Sequence, residues 1–154
     1  MLEIKKYGDP ILRKKSRPVE EVNEEIWKLI DFMVKVMYQN QGIGLAAIQI
    51  GLDLQLLVVD AGNGLKILIN PKIVRAEGRQ TDEEGCLSLP GVFLRINRPK
   101  FIEVEALNRQ GRPIKIKARD LEARAICHEI DHLNGKLIID YDNIWQKIRR
   151  KFKL

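Results

Sequence analysis

Between Asn23 and Tyr38 the apolar residues Ile26, Leu29, Ile30, Met33 and Met37 recur at steps of three and four, the period of one helix face. Asn23 stands where an N-cap belongs, and Glu24 and Glu25 oppose the positive end of the helix dipole. The pattern predicts an amphipathic helix. It then changes: "LQLLVVD" is a short apolar run, and Gly62-Asn63-Gly64 turns into a second, "LKILIN", so two strands are predicted. "FIEVEAL" and "IKIKA" alternate with period two around "NRQG", the pattern of an antiparallel hairpin with one buried face. From Asp120, placed to cap, to Gly135, placed to stop, "DLEARAICHEIDHLNG" returns to helical spacing. Last comes "NIWQKIRRKFKL". There Ile144, Ile148 and Phe152 share a helical face among Lys147, Arg149, Arg150, Lys151 and Lys153, so a basic carboxyl-terminal helix is predicted over residues 142–154. Strands followed by a functional helix give an α+β class, with antiparallel or mixed sheets packed around the central histidine-bearing helix.

Composition narrows the class. A chain of 154 residues suits a single domain spanning 1–154, with a core able to fold unaided. Its 45% apolar and 31% charged residues belong to a globular protein, and no apolar run approaches the length that crosses a bilayer. No membrane partner is expected, nor DNA. The opening "MLEIKKYGDP" has neither the apolar core of a secretory signal nor the character of a transit sequence, which makes the cytoplasm the expected compartment and keeps both cysteines reduced. The net charge of +6 matters less than its concentration in the tail.

Candidate chemistry lies in "HEIDH", which holds the only two histidines of the chain. Residues four apart on a helix are neighbours, so His128 and His132 can aim ring nitrogens at one point about 2 Å from each. Two histidines in chance register would read the same. A third ligand separates the readings, and the best candidate is Cys86 in "EEGCLSLPG", where a glycine precedes the thiol and a proline soon ends any strand. Cys127 points about 100° away from His128 on the same helix and is assigned to the core. Three protein ligands leave one coordination position for water, the arrangement of a catalytic site. A divalent metal lowers the pKa of that water, and Glu129 beside it can take the proton and pass it to a leaving nitrogen. The chemistry indicated is amide hydrolysis.

In "GIGLAAIQI", Gly42, Gly44 and Ala47 match the dinucleotide fingerprint, with Asp60 near its acidic position. That fingerprint follows a strand and opens a helix, whereas this segment follows a helix and is interrupted by Gly51. The alternative is that the glycines admit a substrate backbone while Gln49 points an amide donor into the site.

Together "GIGLAAIQ", "EGCLSLP" and "HEIDHLNG", in this order and at these separations, resemble the three signature motifs of peptide deformylases, and "YGDPILRKKSRPV" looks like that family's amino-terminal segment. The resemblance implies that Cys86, His128 and His132 hold one divalent metal, Fe²⁺ natively in many members, with Zn²⁺, Ni²⁺ or Co²⁺ able to substitute. It implies Glu129 as general acid/base, and the backbone N–H of Leu87 with the Gln49 amide as oxyanion donors. Backbone near Ile43 and Gly44 would pair with a formyl-methionyl peptide as an added strand. Formate and a free amino terminus would leave, in a bacterial cytoplasm.

Departures from the family pattern limit three points. Cys127 replaces a frequent glutamine, "GVFLRI" lacks an arginine that some members carry, and the carboxyl terminus is short. Rival readings remain open at this level: a structural-zinc module binding nucleic acid, which would need a fourth ligand; an inactive interaction protein; and a metalloprotease, which also uses H-E-x-x-H. The basic tail suggests docking on ribosomal RNA, against the plainer expectation that its apolar face packs on the domain while its charges stay solvated.

Overall fold

The structure, a computed structural model, describes residues 3–142; the basic helix expected over 142–154 therefore lies, beyond Asp142, outside the described residues. Helix α1 (Glu24–Gln39) begins as predicted, the Asn23 side chain accepting from the backbone N–H of Ile26 at 3.1 Å. Strands β1 (Gly44–Ala46), β2 (Leu56–Val59), β3 (Lys66–Glu77), β6 (Phe101–Leu107) and β7 (Pro113–Arg119) form an antiparallel sheet in the order β1-β2-β3-β6-β7. Strands β4 (Gln80–Cys86) and β5 (Leu89–Arg98) make a separate two-stranded ribbon. Helix α2 (Asp120–Leu133) carries the histidines. The class is α+β, as the pattern indicated.

The unbroken apolar run in β2 has a direct cause. Leu57 and Val59 face one core with α2, Leu68, Ile102 and Ile126, while Leu56 and Val58 face another with Ile30, Met33 and Met37 of α1. A strand buried on both faces loses its alternation. A third cluster, of Leu12, Leu89, Leu94, Ile96, Leu137 and Ile138, lies under the ribbon. The first core fixes α2 against the sheet, and the third fixes the ribbon against Leu12 and the segment that follows α2.

Several boundaries differ from expectation. The helix cap at α2 is Arg119, while Asp120 is the first helical residue, with φ +52°. The strand predicted at "LKILIN" continues to Glu77 through an irregularity at Asn70, whose φ is +52°. There the Asn70 side chain both accepts from Val19 N and donates to Val19 O, at 2.8 and 2.9 Å, in place of a strand neighbour. Pro90 does not end a strand: it lies inside β5, in a two-stranded ribbon whose outer edges leave N–H groups unpaired in any case. Gly135 follows α2 with φ +73°, and a Cβ there would come within 2.5 Å of the Arg13 carbonyl oxygen, so the stop at this glycine is as predicted.

Candidate active site

Helical spacing brings His128 and His132 together with their Nε2 atoms 3.2 Å apart. The ribbon supplies Cys86, whose Sγ lies 3.3 Å from His132 Nε2. All three donor atoms fall within 4.8 Å of one another. A tetrahedral ion about 2.05 Å from two imidazole nitrogens would separate them by about 3.3 Å, so this donor set fits a transition metal. Among the described residues, three donors converge and a fourth does not.

Burial and partners fix the ring orientations. His128 Nδ1 lies 3.0 Å from Glu84 Oε1; donating there leaves Nε2 for the cluster, the carboxylate–histidine support common at metal sites. Glu84 is itself held by Arg98 through Nε and Nη2 at 2.9 and 2.8 Å, and by Arg124. Arg98 reaches Asp131 at 2.6 Å, and the Tyr141 hydroxyl donates to the same carboxylate. Burial by itself would raise the Glu84 pKa, but the hydrogen bonds and charges of Arg98 and His128 hold it down to about 2. Burial pushes His132 well below the usual imidazole range, helped by the charge of His128. Two facing nitrogens at 3.2 Å do not both carry protons.

Glu129 projects beside the cluster. It is buried, its Oε1 has no hydrogen-bond partner, and its Oε2 lies so close to Gly44 that a Cβ there would approach to 2.6 Å. Glycine at 44 thus lets the backbone sit against the carboxylate. Burial raises the Glu129 pKa to about 7, although the charge of His128 opposes that rise. Gln49, fully buried in the 3-10 turn Ala47–Ile50, places Nε2 3.6 Å from Cys86 Sγ. A cavity of about 590 Å³ is lined by Ile43, Gly44, Gln49, Cys86, Leu87, His128 and Glu129. Of the site residues read from the sequence, all but His132 line this cavity, and His132 touches it through Cys86 and His128.

The segment "GIGLAAIQI" forms β1 and a 3-10 turn rather than opening an α-helix, so the dinucleotide alternative fails. Cys127 is buried and burial raises its thiol to about 11, consistent with a core role. Sequence reading missed Glu84, Arg98, Arg124 and Asp131. A signal existed for two of them: Glu84 lies two residues before Cys86 on a strand, and Arg124 four before His128 on the helix, each on its ligand's face. Arg98 left no such trace.

The profile of the polypeptide deformylase family matches residues 1–147. This chain belongs to the polypeptide deformylase family. It is 53% identical to the peptide deformylase of Thermoanaerobacter pseudethanolicus over 137 residues, covering 89% of this chain and 86% of the relative. The crystal structure of peptide deformylase from Thermotoga maritima aligns with a TM-score of 0.90 at 42% identity, over 93% of this chain and 98% of that one. A Synechococcus elongatus deformylase in complex with actinonin aligns at 0.93, with 41% identity, over 99% and 85%. The deformylase activity is metal-dependent hydrolysis that removes the N-formyl group from nascent peptides. No helix among the described residues is long and apolar enough to cross a membrane.

Proposed function

We propose that Cys86, His128 and His132 hold one divalent metal, natively Fe²⁺, with Zn²⁺, Ni²⁺ or Co²⁺ able to take its place, and that Glu129 is the general acid/base of deformylation. The observation that carries this reading is the convergence of three donors within 4.8 Å beside a buried carboxylate oxygen that has no other partner. Mixed thiolate and imidazole donors suit these ions and not Mg²⁺ or Ca²⁺. A bound cation supplies Lewis acidity, lowering the pKa of a water towards 7 and polarising the formyl oxygen.

The chain's own groups do the rest. Glu129 Oε1 accepts a proton from the attacking water as its oxygen bonds the formyl carbon. Gln49 Nε2–H and the Leu87 backbone N–H stabilise negative charge gathering on the formyl oxygen. Glu129 then returns the proton to the amide nitrogen as the C–N bond breaks, leaving formate and a free amino terminus. Backbone at Ile43 and Gly44, where the chain enters β1 at the edge of the sheet, pairs with the peptide as an added strand. The substrate is a formyl-methionyl peptide, and residues 1–154 act as one catalytic domain in the bacterial cytoplasm.

Formate release from a formyl-methionyl peptide, measured with apo and metal-loaded protein, tests the reading. Turnover with metal and none without is expected; internal cleavage of unformylated peptides would establish a protease instead. The Fe²⁺ form should lose activity in air as iron or thiolate oxidises, and Ni²⁺ should protect it. Air-stable iron activity would count against that oxidation. The lysines and arginines from 147 to 153 are proposed to dock on ribosomal RNA. Reversing Arg149, Arg150 and Lys151 to glutamate should lower low-salt co-sedimentation with ribosomes while leaving free-peptide hydrolysis unchanged; intact co-sedimentation would refute docking.

A further inference from the structure

We propose that the hydroxyl of Ser88 is a positioning group that holds the Gln49 amide in its donating orientation, an inference that rests on the reading of Gln49 as an oxyanion donor. Ser88 is fully buried two residues beyond Cys86. Its Oγ lies 3.3 Å from Gln49 Nε2. The opposite end of the amide is also held: Oε1 accepts from the Ala46 backbone N–H at 2.9 Å. That contact settles which atom is oxygen, because a flipped amide would set two donors against each other. With Oε1 on Ala46 and one Nε2 hydrogen on Ser88, the second hydrogen remains on the side of Cys86 Sγ, 3.6 Å away, and of the cavity. Two anchors therefore define where the third contact points.

Gln49 and Ser88 are tied to the same strap of backbone. Lys5 N–H donates to the Gln49 carbonyl at 2.7 Å and Tyr7 N–H to the Ser88 carbonyl at 2.8 Å. Between them, Lys6 Nζ reaches the Leu87 carbonyl at 3.1 Å. The segment Lys5–Tyr7 thus fixes the spacing between the 3-10 turn that carries Gln49 and the strand connection that carries Leu87 and Ser88. With the backbones held, the hydroxyl decides the side-chain torsion. Without it, Nε2 has only the thiolate to hold it, and a donor that must point at a developing charge is free to turn away.

Turnover of a formyl-methionyl peptide by metal-loaded wild type, Ser88→Ala, Gln49→Ala and the double variant tests this. Gln49→Ala should lower kcat by about 10²- to 10³-fold, as loss of an oxyanion donor does, and Ser88→Ala by about 10-fold, with KM within about twofold of wild type in both. The double variant should be no slower than Gln49→Ala, since Ser88 acts through that amide. In metal-free protein, NMR should find the Gln49 side-chain amide protons exchanging with solvent faster in Ser88→Ala than in wild type. Wild-type kcat in Ser88→Ala, or losses that multiply in the double variant, would overturn the role of Ser88 alone. Wild-type kcat in Gln49→Ala would overturn the donor reading and this proposal with it.

Discussion

The layer between α1 and the sheet and the layer between the ribbon and α2 are built on opposite principles. Beneath α1, the core is apolar throughout: Ile30, Met33, Met37, Leu45, Ile50, Leu56 and Val58 are completely buried with nothing charged among them. Beneath the ribbon and α2, Glu84, Arg98, Arg124, His128, Glu129 and His132 are all buried. The first layer needs only volume and shape, so its residues exchange with others of similar size at modest cost. In the second, Glu84, Arg98 and Arg124 satisfy one another, so removing one takes a partner from the others in a low dielectric, while Glu129 Oε1 is left unpartnered. The polar layer is less tolerant because it aims atoms, whereas the apolar layer only excludes water.

Substitutions in the polar layer should have the largest effects. Cys86→Ala should abolish tight metal binding and with it turnover, measured by metal content after dialysis; one tightly held ion would place the third ligand elsewhere. Glu129→Gln should keep the metal and lower kcat by about 10²- to 10⁴-fold, and retained turnover would remove Glu129 from the mechanism. Glu84→Ala takes from Arg124 its carboxylate partner, leaves Arg98 only Asp131 and frees the His128 ring, so a stability loss of about 3–5 kcal/mol and a metal affinity weakened by about 10- to 100-fold are expected. Unchanged denaturation and metal titrations would mean that the network is ornamental. In the apolar layer, Met33→Ala should cost about 2–5 kcal/mol by cavity formation while kcat at a temperature well below unfolding stays at the wild-type value.

The same contrast explains what could be read from the sequence. Apolar periodicity predicted α1, α2 and the β6–β7 hairpin, because side chains that only need burial repeat with the backbone period. His128, His132 and Glu129 were legible because one helix supplies them at fixed spacing. Cys86 joins them from 42 residues away in the chain, and only its glycine-flanked motif marked it. Arg98 was invisible: it lies on the far strand of the ribbon, and its partners Glu84, Asp131 and Tyr141 come from three segments. The long β4–β5 ribbon escaped for a related reason, since its exposed and buried positions are polar as often as apolar; Glu84 and Arg98 occupy buried sites that a hydrophobic pattern counts as solvent-facing. Buried charge defeats periodicity and, for the same reason, marks function.

The smallest effect is expected at the end of α1 furthest from the chemistry. Asn23 accepts one hydrogen bond, from Ile26 N–H at 3.1 Å, and satisfies a donor that the first turn leaves open. Asn23→Ala should cost about 1 kcal/mol, a fall in Tm of roughly 2–4 °C for a chain of this size, and Asn23→Asp should restore most of it. The helix has 16 residues and is about 24 Å long; only its other end leads, through Asn40 and Gln41, into the cavity. A cap lost that far away frays a turn without moving Gly42, Gly44 or Gln49, so kcat and KM should stay at wild-type values. If kcat fell in step with Tm, the apolar layer would be transmitting strain to the site, and the separation between a layer that excludes water and a layer that aims atoms would be lost.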